Sequence, residues 1–167
     1  MAGSIKTGLA LIGLLFSAQS SFGAWDDPPL VNTVQAAMGN LSMNFGMPGV
    51  HQQIALFLVN SNDPAGFHVE FTFANKGNFK VGTRQFAMSN VVLSEVSGTL
   101  GPGLTAPNNT PLTIDAGTGI ATWTPAGTPA GATDNYLIAI YADWADQSSK
   151  LAGYYMENIT AVIVSGP

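Results

Sequence analysis

An all-β sandwich is the fold this sequence predicts, and three observations predict it. Behind the first two dozen residues no long segment repeats its apolar residues at helical spacing. Alternating and fully apolar runs of strand length recur instead. Between them lie stretches dense in Gly, Pro, Thr and Asn, the chemistry of turns.

In chain order, the first element is not structural. Lys6 gives a short positive start, "GLALIGLLF" is a brief apolar run, and polar and small residues follow. This reads as a secretory signal cut after Gly23, with Ser21 and Gly23 at the small-residue positions. A membrane anchor needs about 20 apolar residues, and this run is far shorter. Removing residues 1–23 from the 167 leaves 144, enough for one domain with a sizeable core.

Next comes a strand carried in front of the body, residues 24–39. "DDPP" is stiff and non-helical. Leu30, Val34, Ala36 and Met38 then share a face that Asn32 interrupts, while Val31, Thr33 and Gln35 share the other. After Gly39-Asn40 the phase flips to Leu41, Met43 and Phe45, which separates two strands. Residues 40–167 form the sandwich domain. Residues 52–61 are apolar on both faces, as a central strand is. Phe67, Val69, Phe71 and Phe73 point one way, and His68, Glu70 and Thr72 the other. Residues 84–96 follow, then short strands at 112–115 and 119–124 inside a Gly/Pro/Thr-rich stretch, then 135–144. The closing "YYMENITAVIV" sets Tyr155, Ile159, Ala161 and Ile163 on one face and Met156, Val162 and Val164 on the other. Such two-sided apolarity suits a strand buried within the sandwich. Seven or so short strands make an immunoglobulin-like sandwich.

The two ends carry the functional argument. A strand-like segment closes the chain with no later strand to cover it, and a detachable strand precedes the body. That is the arrangement of an incomplete sandwich completed by strand donation: an extended segment of a neighbour fills an apolar groove and completes its ladder. Such a head-to-tail contact propagates into a filament. The alternative is that residues 30–38 pair within their own subunit as an ordinary first strand.

Composition excludes other classes. Cleavage removes Lys6, one of five basic residues, so four face ten acids and the net charge becomes −6. That leaves no footprint for nucleic acid or anionic lipid. The charged fraction of 9% suits surface covered in an assembly, or an ordinary exported domain with a neutral surface. With no cysteine there are no disulfides, thiolate metal sites or cysteine nucleophiles.

Three further features carry a resemblance: the alternating N-terminal strand, "VNSNDPAGFHVEFTFA", and the closing "AGYYMENITAVIV". With them the chain resembles pilin subunits of the chaperone–usher type. The nearest likeness is to cysteine-free colonisation-factor-type major pilins, although "NTVQAAMGNLSMNF" lacks the Asp-Pro and Leu pattern of their donor segments. The start of the exported chain is also similar to biofilm-matrix fibre proteins that polymerise without an usher. The resemblance implies a homopolymer of identical subunits on the cell surface, supporting adhesion or biofilm. It also implies a periplasmic chaperone and outer-membrane usher as assembly partners. Leu30, Asn32, Val34, Ala36 and Met38 would form the donor strand, and Tyr155, Ile159, Ala161 and Ile163 the acceptor groove.

Catalytic chemistry finds little support. His68 beside Glu70 reads as a solvated strand face rather than a metal pair, and His51 has no third ligand spaced to join it. "DWADQ" places Asp143 and Asp146 around Trp144, as a turn, a sugar platform or a weak calcium loop. Glu70, Glu95 and Glu157 are expected within strands. No nucleophile elbow or phosphate loop is present. The expectation is a non-enzyme without cofactor, metal or catalytic residue. The competing reading is a cell-surface sandwich that binds glycan or protein, with Trp123 or Trp144 at an exposed rim as its signature.

Overall fold

A computed structural model describes residues 29–38, 45, 47–147 and 155–166. The signal sequence and its cleavage site lie outside these residues, as do Leu41 and Met43 of the phase-flipped strand. All regular structure among the described residues is β. The twelve strands are β1 (Asn32–Ala36), β2 (Gly49–Ser61), β3 (Phe67–Phe73), β4 (Asn78–Val81), β5 (Arg84–Ala87) and β6 (Ser89–Thr99), then β7 (Leu104–Thr105), β8 (Thr110–Pro111), β9 (Ile120–Trp123), β10 (Ala126–Gly127), β11 (Thr133–Trp144) and β12 (Ile159–Ser165).

Two antiparallel sheets face each other. One has the order β1-β2-β11-β6-β8 and the other β12-β3-β9; β4 and β5 form a separate hairpin, and β7 pairs with β10. Sequence alternation explains which side chains lie between the sheets. Phe67, Val69, Phe71 and Phe73 of β3 are all buried, with His68, Glu70 and Thr72 turned away. They meet Phe57 and Val59 of β2, Leu93 of β6, Trp123 of β9 and Tyr136, Ile138 and Ile140 of β11 in one continuous core. β11 is the central strand, paired along most of its length with β2 on one side and β6 on the other. A second, smaller cluster of Phe79, Phe86 and Trp144, joined by Phe45 and Tyr155, fastens the β4–β5 hairpin to the end of β11. Its rings meet edge-on or tilted, with Phe45 4.7 Å from Phe79 and 5.3 Å from Trp144, the geometry aromatic quadrupoles favour.

Four sequence expectations change. The strand expected at 112–115 is a loop. Leu112 is buried and Ile114 packs on the core, but Asp115 ends the extended run, its Oδ1 accepting from Gly117 N, Thr118 N and Thr118 Oγ at 3.0, 2.6 and 2.8 Å. The closing strand begins only at Ile159. Tyr155 lies outside it in the aromatic cluster, and Met156 makes an isolated bridge with Lys80. Glu157 therefore lies outside any strand. And β12 is an edge strand rather than an interior one, since it pairs with β3 alone among the described residues.

Candidate interaction seam between the first and last strands

β1 and β12 are the edges of the two sheets on the same side of the sandwich. β1 pairs antiparallel with β2 of its own chain, Asn32 opposite Ser61 through Ala36 opposite Phe57. Asn32 and Val34 are partly buried and Thr33 and Gln35 exposed, as the alternation predicts, but Leu30, Ala36 and Met38, expected on the inward face, are exposed. Val34 packs on the main core, as do Ile159, Ala161 and Ile163 of β12, all four only half-buried. The structure thus brings the expected donor strand and most of the expected acceptor strand to two lips of one seam.

One end of the seam is pinned by polar groups. Asn32 Nδ2 donates to Ser165 Oγ at 2.7 Å and to Asp63 Oδ2 at 3.3 Å. Its Oδ1 accepts from Ser61 Oγ at 2.6 Å. Ser61 and Asp63 are buried. The N–H of Ala65, then the Ser165 hydroxyl and the Asn32 amide, hold the Asp63 carboxyl below the usual carboxylate range despite its burial. None of Ser61, Asp63 or Ser165 was anticipated. The available signal was Asn32 itself, the one polar residue in an otherwise apolar stripe, which implies a polar partner.

The other end gapes. β2 has 13 residues, but β1 covers it only from Phe57 to Ser61, followed by one bond from Ala37 N to Leu56 O at 2.8 Å. Beyond that point lies an open cleft of about 420 Å³, lined by Ala36, Met38, Ile54, Phe79, Tyr155 and Ile159 among others. Glu157 lines it as well. Burial pushes the Glu157 carboxyl above its ordinary range, against the N–H groups of Asn75, Asn158, Gly77 and Asn78. Asn75 N and Gly77 N donate to its two oxygens at 2.7 and 3.2 Å. Apolar side chains flank the strand: Leu30 is 65% exposed and Met38 40%, and across the seam Val162 of β12 is 56% exposed.

The other candidate residues do not gather. Trp123 and Trp144 are only 4% and 5% exposed. Trp123 belongs to the main core, and the Trp144 indole donates to Met47 O at 3.2 Å. A buried ring offers no face for a sugar to stack on, so the expectation of an aromatic rim at these positions is overturned. Asp143 is a structural latch. It accepts from His51 N at 2.6 Å and Asn90 Nδ2 at 2.9 Å, and both of those residues have left-handed backbones, with φ of 48° and 45°. His51 stacks on Tyr141 with centroids 4.3 Å apart. His68 Nδ1 bonds Gly166 O at 2.9 Å and its Nε2 is 3.8 Å from Glu70. Among the described residues no three His, Cys, Asp or Glu side chains are grouped to hold a metal. Comparison with known protein families, with characterised proteins and with solved structures finds no match.

Proposed function

We propose that this chain is an exported structural subunit of an extracellular filament that polymerises head-to-tail by β-strand donation at the β1–β12 seam. In the assembled form, β1 of one copy occupies the β2 edge of the next, completing an immunoglobulin-like sandwich. A periplasmic chaperone and an outer-membrane usher are the proposed assembly partners, and surface adhesion or biofilm the proposed role. One observation carries the reading. β1 is a five-residue rim strand that sends only Val34 onto the apolar core, while Leu30, Val31 and Met38 beside it stay exposed. Its ladder and pocket can be supplied equally by the same segment of another copy, so exchange between copies loses no contact.

The chain contains no cysteine, which makes a clean test available. Gln35 and Leu58 face each other across the β1–β2 ladder. The main-chain bonds at Val31/Asn62 and Ala37/Leu56 make theirs a narrow hydrogen-bonded pair with a Cα spacing of about 5.5 Å, within disulfide range. Oxidised surface material from a Gln35→Cys/Leu58→Cys chain should run as a covalent ladder on a non-reducing gel. A monomer band alone, with filaments present, would show that β1 stays in its own subunit and end the proposal.

A further inference from the structure

We infer that Ser61, Asp63 and Ser165 form a recognition pocket for a carboxamide side chain on the strand that fills the β1 position, and that Asn32 thereby sets its register. The argument starts from the degeneracy of an alternating strand. A slip of one residue turns the apolar face outward and is excluded by burial. A slip of two residues is different, because it keeps Leu30, Val34, Ala36 and Met38 on the same side of the strand and preserves the ladder. Nothing apolar in the stripe distinguishes the native register from its neighbours two residues away.

Asn32 does distinguish them. In the native register it lies opposite Ser61 and every polar atom of its side chain is used. Nδ2 donates to Ser165 Oγ and Asp63 Oδ2, and Oδ1 accepts from Ser61 Oγ. The pocket has both polarities, a carboxylate and hydroxyls, and a carboxamide has a donor and an acceptor on one carbon to match. A slip of two one way would put Leu30 against Ser61 and the Asn32 amide opposite Val59, a buried core valine. A slip the other way would bring Val34 to Ser61. Each sets an apolar side chain opposite the buried Ser61 and takes from it the Asn32 Oδ1 that accepts its hydroxyl, so a buried polar group loses a partner. A single polar residue that fixes register in an apolar interface is a known physical device. The pocket reads whichever copy supplies the strand, so the inference does not depend on the filament reading.

Disulfide mapping in the full-length chain tests it. Gln35→Cys is combined with Leu58→Cys for the native register, and with Leu56→Cys or Asn60→Cys for the two slipped ones. With Asn32 present the 35–58 bond should dominate both others by at least about tenfold, and in Asn32→Leu the slipped bonds should rise to comparable yield. Asn32→Asp sets two carboxylates against each other and should suppress the 35–58 bond; adding Asp63→Asn restores the donor–acceptor match and should recover it. The inference is overturned if Asn32→Leu keeps the 35–58 bond exclusive, or if the exchanged pair fails to recover it. It is equally overturned if Asn32→Leu abolishes all three bonds, because Asn32 would then anchor the strand without selecting its register. Whether a bond lies within or between chains reports on filament assembly, separately from which pair forms.

Discussion

β2 has a different neighbour on each side, and the two sides behave as different materials. Toward β11 it is paired from Gly49 to Ser61, and the facing side chains Tyr136, Ile138 and Ile140 are fully buried. Toward β1 it is paired only from Phe57 to Ser61, against a strand whose residues are half-buried or exposed. One strand therefore belongs both to a packed core and to an unfinished edge. Burial on the first side fixes the fold, and its scarcity on the second leaves an edge held by main-chain bonds and few buried side chains. The same residue types give opposite outcomes because stabilisation follows the apolar area removed from water, not the residue type.

The sharpest way to break this contrast is to empty each side in turn. Ile138→Ala should cost about 2–5 kcal/mol, as large-to-small changes in fully packed cores do. Val34→Ala should cost about 1 kcal/mol or less, because a half-buried valine has less to lose. Urea denaturation of both variants measures the difference, and equal losses would mean that β1 belongs to the core. Next in size is the effect of charge on the edge. Val34→Asp should weaken docking of β1 by roughly 2 kcal/mol or more, the cost of an unpaired polar group on an apolar site. It should abolish filaments while the sandwich stays folded by near-UV dichroism. Thr33→Asp faces solvent and should assemble as the parent does. If both variants assemble normally, the edge does not join subunits.

The legible part of the molecule was the part where alternation and burial coincide. In β3, four phase-matched apolar residues are buried together, and β11 reads equally plainly where Ile138, Ile140 and Ala142 are buried at alternate positions. Alternation shows which side chains turn inward but not how many strands lie beyond. That is why "ITAVIV" reads as an interior strand although, among the described residues, β12 has a partner on one side only. Two-residue strands such as β7, β8 and β10 are too short to carry a period. The buried Trp123 and Trp144 illustrate a different limit: an indole is apolar enough for a core and polar enough for a rim, and only its neighbours decide. At the seam, the apolar stripe of β1 is legible, but Ser61, Asp63 and Ser165 are not, because they converge from the far end of one sheet, a turn and the last described strand.

Smaller effects sharpen the same contrast. Glu157 borders the open cleft, and burial raises its carboxyl above the unfolded value of 4.5. A raised acid pKa contributes stability that is full below that value and lost as pH rises through the folded pKa. Glu157→Gln should therefore flatten the fall in stability between mildly acidic and neutral pH, seen as a smaller change in melting temperature across that range. The opposite sign applies at Asp115, where the Thr118 N–H and hydroxyl lower the pKa below 3.8. Its contribution is present above 3.8 and lost as pH falls through the folded value, so Asp115→Asn should flatten only the acid limb. Smallest of all is Tyr136→Phe on the core side. The Tyr136 hydroxyl is buried without a hydrogen-bond partner, and burial is the main cause that raises its pKa. Deleting a group that has no partner should change stability by less than about 0.5 kcal/mol, or raise it slightly. A loss well beyond that would reveal a bound water at the hydroxyl.

The two lips of the seam also differ in when they exist. β1 is the first of the described strands to be synthesised and β12 the last. At 5–20 residues per second, translation from one to the other takes roughly 10 s. Throughout that interval β1 and β2 can pair, but the pocket lacks Ser165 and the groove lacks its second wall. Until β12 is made, β1 is held by its pairing with β2 alone.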